Sequence, residues 1–351
     1  MNASAVKNRL PVILLIVILL LLAGLILYTV TAASRVSKVS EAIGTDSTPS
    51  KTAVPLRTAV PATPTPAPTA LPVLWEEPTE ETSVEAPFWS DGTLFVENTY
   101  RSPTLSVTLT VTDDAKTFSR RVKYYVADIR VSDVTQIRTA NFNGDFSKSG
   151  HGSVKKMAKK ANALVAISGD YCGFHRNTLV IRNGVVYRDK ISSNDVCLLL
   201  RSGEMETIRN SKANIKDILA KDPWQAWEFG PALLESDGTP RKSFGNHTIN
   251  PKNPRSCIGY IEPGHYLFVV ADGRQKGSHG LTLVELASLM SKLGCKQAFN
   301  LDGGASAHLY WKDKIYNSPS NGGREISDII YVEKESYPTS RTFFGKAGIK
   351  Q

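Results

Sequence analysis

Hydrophobic and polar positions divide the chain into segments of different kind. From Leu10 to Ser34 there is no charged residue, and Val12 to Leu27 is Leu, Ile and Val apart from Ala23 and Gly24. A helix crossing a bilayer needs about 20 apolar residues, whereas the apolar part of a cleaved signal peptide is usually about 7–15 long. The run therefore predicts an uncleaved transmembrane anchor over 10–34 behind a short tail, 1–9. The next stretch, 35–87, has no apolar period. It is rich in Pro, Thr and Ser and contains Pro61-Ala62-Thr63-Pro64-Thr65-Pro66-Ala67-Pro68, which resists helix and favours an extended polyproline-like chain. At about 3.1 Å per residue such a stalk reaches on the order of 100 Å.

Period-two patterns begin near Phe88. Leu105, Val107, Leu109 and Val111 alternate with Ser106, Thr108 and Thr110, and Tyr125, Ala127, Ile129 and Val131 fall on one face of 122–131; both segments predict half-buried strands. A short helix is expected over 154–161, followed by a strand over 163–168. Asn183-Gly184 between apolar runs signals a hairpin. The pairs 197–201 with 205–209 and 257–261 with 266–270 flank glycine-containing turns. Thr282 and Glu285 form a capping box ahead of the stripe Leu283, Leu286, Ala287, Met290 and Leu293, and Gly294 ends that helix. Strands are expected again at 298–301, 307–311 and 328–332. Many short strands with few helices predict an α+β domain over 88–335, a mixed β-sheet with a few flanking helices. It is preceded by the transmembrane helix and Pro/Thr-rich stalk and followed by a peripheral tail, 336–351.

Charge and composition refine this picture without replacing it. The chain has 351 residues and a formal net charge of +9, which favours anionic partners in general. The one tight basic cluster, Lys155, Lys156, Lys159 and Lys160, has the spacing of a solvated helix face. No helix-turn-helix, zinc-finger or aromatic-basic signature accompanies it, so nucleic acid is not an expected partner. Lys7 and Arg9 before the apolar run are nearly matched by Arg35 and Lys38 after it. The stalk then decides the orientation: a single-pass cell-membrane protein with its C-terminal domain outside the cytoplasm. Cys172, Cys197, Cys257 and Cys295 form no C-x-x-C pair; two disulfides or buried free thiols both suit such a domain.

The candidate chemistry lies in three strand ends: Ser168-Gly169-Asp170-Tyr171, Asp272-Gly273-Arg274-Gln275, and Asn300-Leu301-Asp302-Gly303-Gly304-Ala305-Ser306. Each taken alone is common turn punctuation. The middle one runs through Gly277, Ser278 and Gly280 into the capped helix at Thr282. Backbone N–H groups there, with the helix dipole and Arg274, would suit an anion. H-E-x-x-H and G-x-S-x-G are both missing from the sequence, and the six histidines have no paired ligand spacing.

Taken in order, these stretches resemble the phosphodiester glycosidase family over about residues 124–332. Ala166-Ile167-Ser168-Gly169-Asp170-Tyr171, Phe229-Gly230-Pro231, Arg255-Ser256-Cys257-Ile258-Gly259, Asp272-Gly273-Arg274, Gly280-Leu281-Thr282-Leu283 and Asn300-Leu301-Asp302-Gly303-Gly304 carry the resemblance. Ser168 stands where the family commonly has Asn, Ala305 ends what is usually a run of three glycines, and Glu228, where a small polar residue is frequent, reads as a surface residue. The resemblance implies hydrolysis of a sugar 1-phosphodiester, of the N-acetylglucosamine-1-phosphodiester kind, in cell-surface or exopolysaccharide polymers. It implies Arg255 and Arg274 on phosphate, assisted by Gly277, Ser278 and Gly280, with Asn300, Gly303, Gly304 and Ser306 also binding substrate. Asp302 is the first choice for the reacting carboxylate; Asp170 and Asp272 follow as base, stabiliser or sugar-hydroxyl partner. No cofactor is required, while clustered carboxylates leave a divalent cation open. A non-catalytic glycopolymer-binding or envelope-assembly protein on the same fold is the alternative.

Overall fold

The computed structural model of the chain describes residues 94–335 apart from 246 and 247. The expected anchor over 10–34, the stalk over 35–87 and the tail over 336–351 lie outside the described residues. Among those described, no helix is long and apolar enough to cross a membrane.

Strands among the described residues form three sheets. The first has the order β1 (Leu94–Val96), β2 (Thr99–Arg101), β3 (Leu105–Asp114), β4 (Val122–Val131), β13 (His265–Ala271), β12 (Arg255–Glu262), β14 (Gln297–Asn300). The second runs β10 (Met205–Ile208), β9 (Asp195–Leu200), β11 (Pro223–Phe229), β7 (Val180–Arg182), β8 (Val185–Arg188), and the third β16 (Lys314–Ile315), β15 (Leu309–Trp311), β6 (Ala163–Ser168), β17 (Asp328–Glu333), β5 (Ile137–Asn141). This is the sheet-rich, helix-poor architecture that the strand patterns predict. Neighbouring strands pair antiparallel, as in β3 with β4, β9 with β11 and β6 with β17.

Side chains alternate across a strand, and that alternation sorts the apolar residues into one shared core and three outer layers. Tyr125, Ala127 and Ile129 of β4, Cys197 and Leu199 of β9, and Val165 and Ile167 of β6 all point into the common core. The opposite face of each sheet is covered by one helix. α1 (Val154–Lys160) lays Val154, Met157 and Ala158 on Ala166 and Ile329. α2 (Ile215–Ala220) places Ile218 against Val196, Leu198 and Ala226. α3 (Leu283–Lys292) sets Leu286, Ala287 and Met290 on Leu267, Val269 and Ala298, and its capping box between Thr282 and Glu285 is formed. The β7–β8 turn is the expected two-residue Asn-Gly hairpin, with φ of 52° at Asn183 and 77° at Gly184. All four cysteines are buried free thiols.

Candidate active site

Antiparallel register decides which strand ends meet. Arg255 opens β12 opposite Ala271, the last residue of β13, and Cys257 lies opposite Asn300, the last residue of β14. The start of β12 and the loops after β13 and β14 therefore share one edge. The end of β6 is fastened to the same edge: Ser168 Oγ donates to Asp302 O at 2.9 Å, and Asp302 N–H donates to Gly169 O at 3.0 Å. A cavity of about 230 Å³ opens there, lined among others by Arg255, Arg274, Asn300, Asp302, Gly304 and Arg324.

Asp302 is the carboxylate of this cavity, and its carboxyl is pushed above the ordinary carboxylate value. Burial is the main cause, opposed by the Ser306 hydroxyl and the Arg324 cation. Arg324 Nη2 lies 3.2 and 3.1 Å from the two carboxylate oxygens, and its Nε donates to Ser306 Oγ. The guanidinium also rests over the ring of Tyr171 at 5.3 Å, and Tyr171 stacks on Phe174 at 4.2 Å. One ring, itself backed by a second, thus covers one face of the cation that neutralises Asp302.

The other two arginines are held differently. Arg255 donates from Nε to Leu281 O (2.8 Å) and from Nη2 to Ile249 O (2.7 Å) and Pro251 O (2.8 Å). Burial, then the neighbouring Arg274 charge, lowers its pKa to about 10, so it remains a cation at neutral pH. Arg274 is exposed, with φ of 57°, and Asn253 Oδ1 accepts from both its Nε (3.0 Å) and Nη2 (2.6 Å). Asn253 is itself pinned by reciprocal backbone bonds with Leu281. That close approach requires Gly280: at φ 82°, a Cβ there would stand 2.4 Å from Asn253 O. At Gly304, with φ of 61°, a Cβ would meet the Arg274 guanidinium at 3.4 Å, and Gly303 completes the turn along the lining.

Other residues of the expected set sit elsewhere. Asp272 is buried and its carboxylate accepts from Tyr125 OH (2.9 Å), Asn317 Nδ2 (3.0 Å) and Ser318 N–H (3.1 Å), so it braces its own loop. Ser278 is buried behind that loop, donating to Asp272 O and accepting from Lys123 N–H; Gly277 faces open space. The start of α3 is closed by its own chain, since Thr282 N–H donates to Glu285 Oε2 at 2.8 Å and Arg120 bonds both Glu285 oxygens at 2.6 Å. Ser306 meets the site through Arg324, and Asn300 Nδ2 donates to Gly230 O at 2.8 Å.

Asp170 faces a second, adjoining cavity and is paired with Arg182 at 2.7 Å, both side chains fully buried. Arg182 also reaches Asp328 at 3.4 Å, whose carboxyl is pushed up by burial and by Asp170. Ligand atoms of Asp170, Cys172 and Asp328 lie within 4.8 Å of one another. This is the donor spacing a divalent cation would need, but the Arg182 guanidinium already sits on both carboxylates. Glu228 corrects the surface reading: it is 1% exposed, because its two oxygens accept the N–H groups of Leu179 (2.6 Å) and Ser192 (2.7 Å) and so cap two loops from inside. Arg324, Arg182 and Asp328 are absent from the sequence-based site. Arg324 follows Gly322-Gly323, where the chain turns with φ of 77° and 83°; that glycine pair is the one local signal pointing to it.

Residues 161–333 match the family model described as phosphodiester glycosidase. Over those residues the chain is similar to the phosphodiester glycosidase family. Among curated relatives, the SPbeta prophage-derived uncharacterized protein YomE of Bacillus subtilis (strain 168) is 29% identical over 210 residues, 57% of this chain and 32% of that protein. The N-acetylglucosamine-1-phosphodiester alpha-N-acetylglucosaminidase of Mus musculus is 24% identical over 204 residues, 55% of this chain and 37% of that enzyme. The chain thus spans about a third of the length of these relatives. Among solved structures, the auto-inhibited catalytic domain of the zebrafish N-acetylglucosamine-1-phosphodiester alpha-N-acetylglucosaminidase superposes with a TM-score of 0.55 at 20% identity, covering 67% of this chain and 85% of that one. A hypothetical protein from Synechocystis gives 0.52 at 14% identity, covering 66% and 62%. Both likenesses concern the fold.

Proposed function

We propose that the chain is a hydrolase of sugar 1-phosphodiesters, anchored by residues 10–34 and acting outside the cytoplasm on cell-surface or exopolysaccharide polymers. The observation that carries the catalytic part is a single buried carboxylate, Asp302, in a cavity lined by three arginines. A phosphodiester offers oxygens that only accept, which suits guanidinium groups. Its phosphate leaves as a stable anion, so one carboxylate suffices where ordinary glycosides need two. In this reading water attacks the anomeric carbon and gives its proton to Asp302. The C–O bond breaks with its electron pair on the departing phosphate monoester, and Arg274 and Arg324 hold the charge that develops.

Hydrolysis by the full-length protein in oxygen-18 water tests this directly. Label is expected in the released sugar; label in the phosphate would make the protein a plain phosphodiesterase. A folded protein that turns over no sugar 1-phosphodiester, yet binds phosphorylated polymer, would instead be a glycopolymer-binding protein. The Gly280 packing gives a second expectation. Gly280→Ala forces Asn253 aside and releases Arg274, so KM for the phosphodiester should rise roughly tenfold with kcat changed much less. Left-handed strain should also lower stability by about 1–3 kcal/mol, read as a fall in Tm.

A further inference from the structure

The Asp302 cavity has a neighbour whose chemistry is opposite. Phe229 and Ile249 line both spaces, so the first, of about 230 Å³, and the second, of about 420 Å³, meet at the end of β11. Asp170, Asp195 and Glu228 line the second, and among the described residues no arginine or lysine does. Two of these carboxylates are matched by cations behind the wall: Asp170 by Arg182 at 2.7 Å and Asp195 by Arg241 at 3.6 Å. Among the described residues Glu228 has no such partner. Its oxygens accept the backbone N–H groups of Leu179 and Ser192 and a side-chain hydrogen bond of Ser192, and the carboxylate retains further acceptor capacity.

A second observation comes from the joint between the cavities. Asn300 lines the first cavity, and its Nδ2 is bound to the carbonyl of Gly230, a residue of the second. Its Oδ1 is buried and accepts no hydrogen bond among the described residues. A buried acceptor left without a donor is costly, and a phosphodiester, having acceptors only, cannot supply one. A sugar hydroxyl can.

We infer that the acidic second cavity is the sugar half of the site, and that Glu228 selects a donor-rich neutral or ammonium-bearing sugar and excludes carboxylated sugars. This rests on the phosphodiester reading above. Charge then orients the substrate, with phosphate drawn to the arginine side and sugar hydroxyls to the carboxylate side. A uronic acid would set its carboxylate against Glu228, and like charges at close range weaken binding strongly.

The test compares an N-acetylglucosaminyl with a glucuronosyl 1-phosphodiester carrying the same aglycone, using the full-length protein. The parent is expected to favour the neutral sugar at least tenfold in kcat/KM, and binding of the two sugar 1-phosphates, measured by calorimetry, should follow the same order. Glu228→Gln should narrow the ratio at least threefold, with the change falling in KM. Should loss of the two capped loops unfold that variant, Ser193→Lys, which adds a cation to the exposed rim of the same cavity, should narrow it as well. Equal handling of both sugars by the parent, or a ratio unmoved in both variants, overturns the inference. Selective binding of the neutral sugar 1-phosphate without turnover defeats the hydrolase reading and keeps the assignment of the cavity; binding of neither removes both.

Discussion

Asp302→Asn should lower kcat for a sugar 1-phosphodiester by about 10³-fold, within the range that removal of a general base produces, while leaving the fold intact. The amide cannot take a proton from water, yet it is the size of the carboxylate and its backbone anchors to Gly169 and Ser168 stay in place. What the folded state loses is the contact with Arg324, whose side chain is 47% exposed. Partly exposed pairs of that kind contribute only about 0–1 kcal/mol, so Tm should move by a few degrees at most.

The pH profile separates this from a merely structural effect. Burial raises the Asp302 carboxyl above the ordinary carboxylate value, and the base must be ionised. The rate should therefore rise with pH on the acid side, along a limb lying above that of an exposed aspartate. Arg324→Met removes the cation that favours the ionised form, so the limb should shift further toward neutral pH. A limb that stays in place in Arg324→Met would exclude Asp302 as the titrating group, and residual parental activity in Asp302→Asn would remove it from the reaction.

Much of the fold was legible because its strands obey a simple period. β4 and β13 alternate between the shared core and the layer under α3, and α3 announces both ends through Thr282, Glu285 and Gly294. β11 does not advertise itself in this way. Gln225 and Glu228 interrupt its apolar pattern although both are buried, because each is satisfied by hydrogen bonds rather than by water. Gln225 reaches Thr139, Ile137 and Asn183, and Glu228 caps two loops. Carboxylates are seldom buried, so the composition of that strand pointed outward.

The candidate site was legible to a similar degree. Asp302, Arg255, Arg274, Asn300 and the Gly303-Gly304 turn do gather at one cavity. Gly280 acts at one remove, by admitting Asn253 against Arg274, and Asp272 and Ser278 brace the loop that carries Arg274. Arg324 completes the cavity from a turn 22 residues beyond its partner. A pairing of that separation leaves no mark in local periodicity, since only the closing of β17 beside β6 brings the segment back.

The largest stability effect is expected at Arg182→Met. Arg182, on β7 of the second sheet, is fully buried and joins Asp170 at 2.7 Å and Asp328 at 3.4 Å, both at strand ends of the third. It also donates to the carbonyls of Ala226 and Ile181, and lies 5.7 Å from the Phe146 ring. Methionine fills part of the volume but leaves two carboxylates buried without their cation, a loss of about 3–5 kcal/mol. For a domain of this size that corresponds to a fall in Tm of roughly 10 °C. The sign of the pH dependence follows from the same charges. In the parent, burial and Asp170 already raise the Asp328 carboxyl, so the folded state holds a proton that the unfolded chain releases. Stability from that proton is complete below the ordinary carboxylate range and is lost as pH rises through the folded value. Removing the guanidinium, which favours the ionised form of Asp328, raises that carboxyl further, so the Arg182→Met deficit should be large at neutral pH and shrink on acidification. Adding Asp170→Asn to Arg182→Met should restore part of the lost stability instead of adding to the damage. Urea titrations of the four proteins across this pH range decide the matter: a deficit independent of pH, or additive losses in the double variant, would show that Arg182 acts through packing and not as the shared cation of two acids.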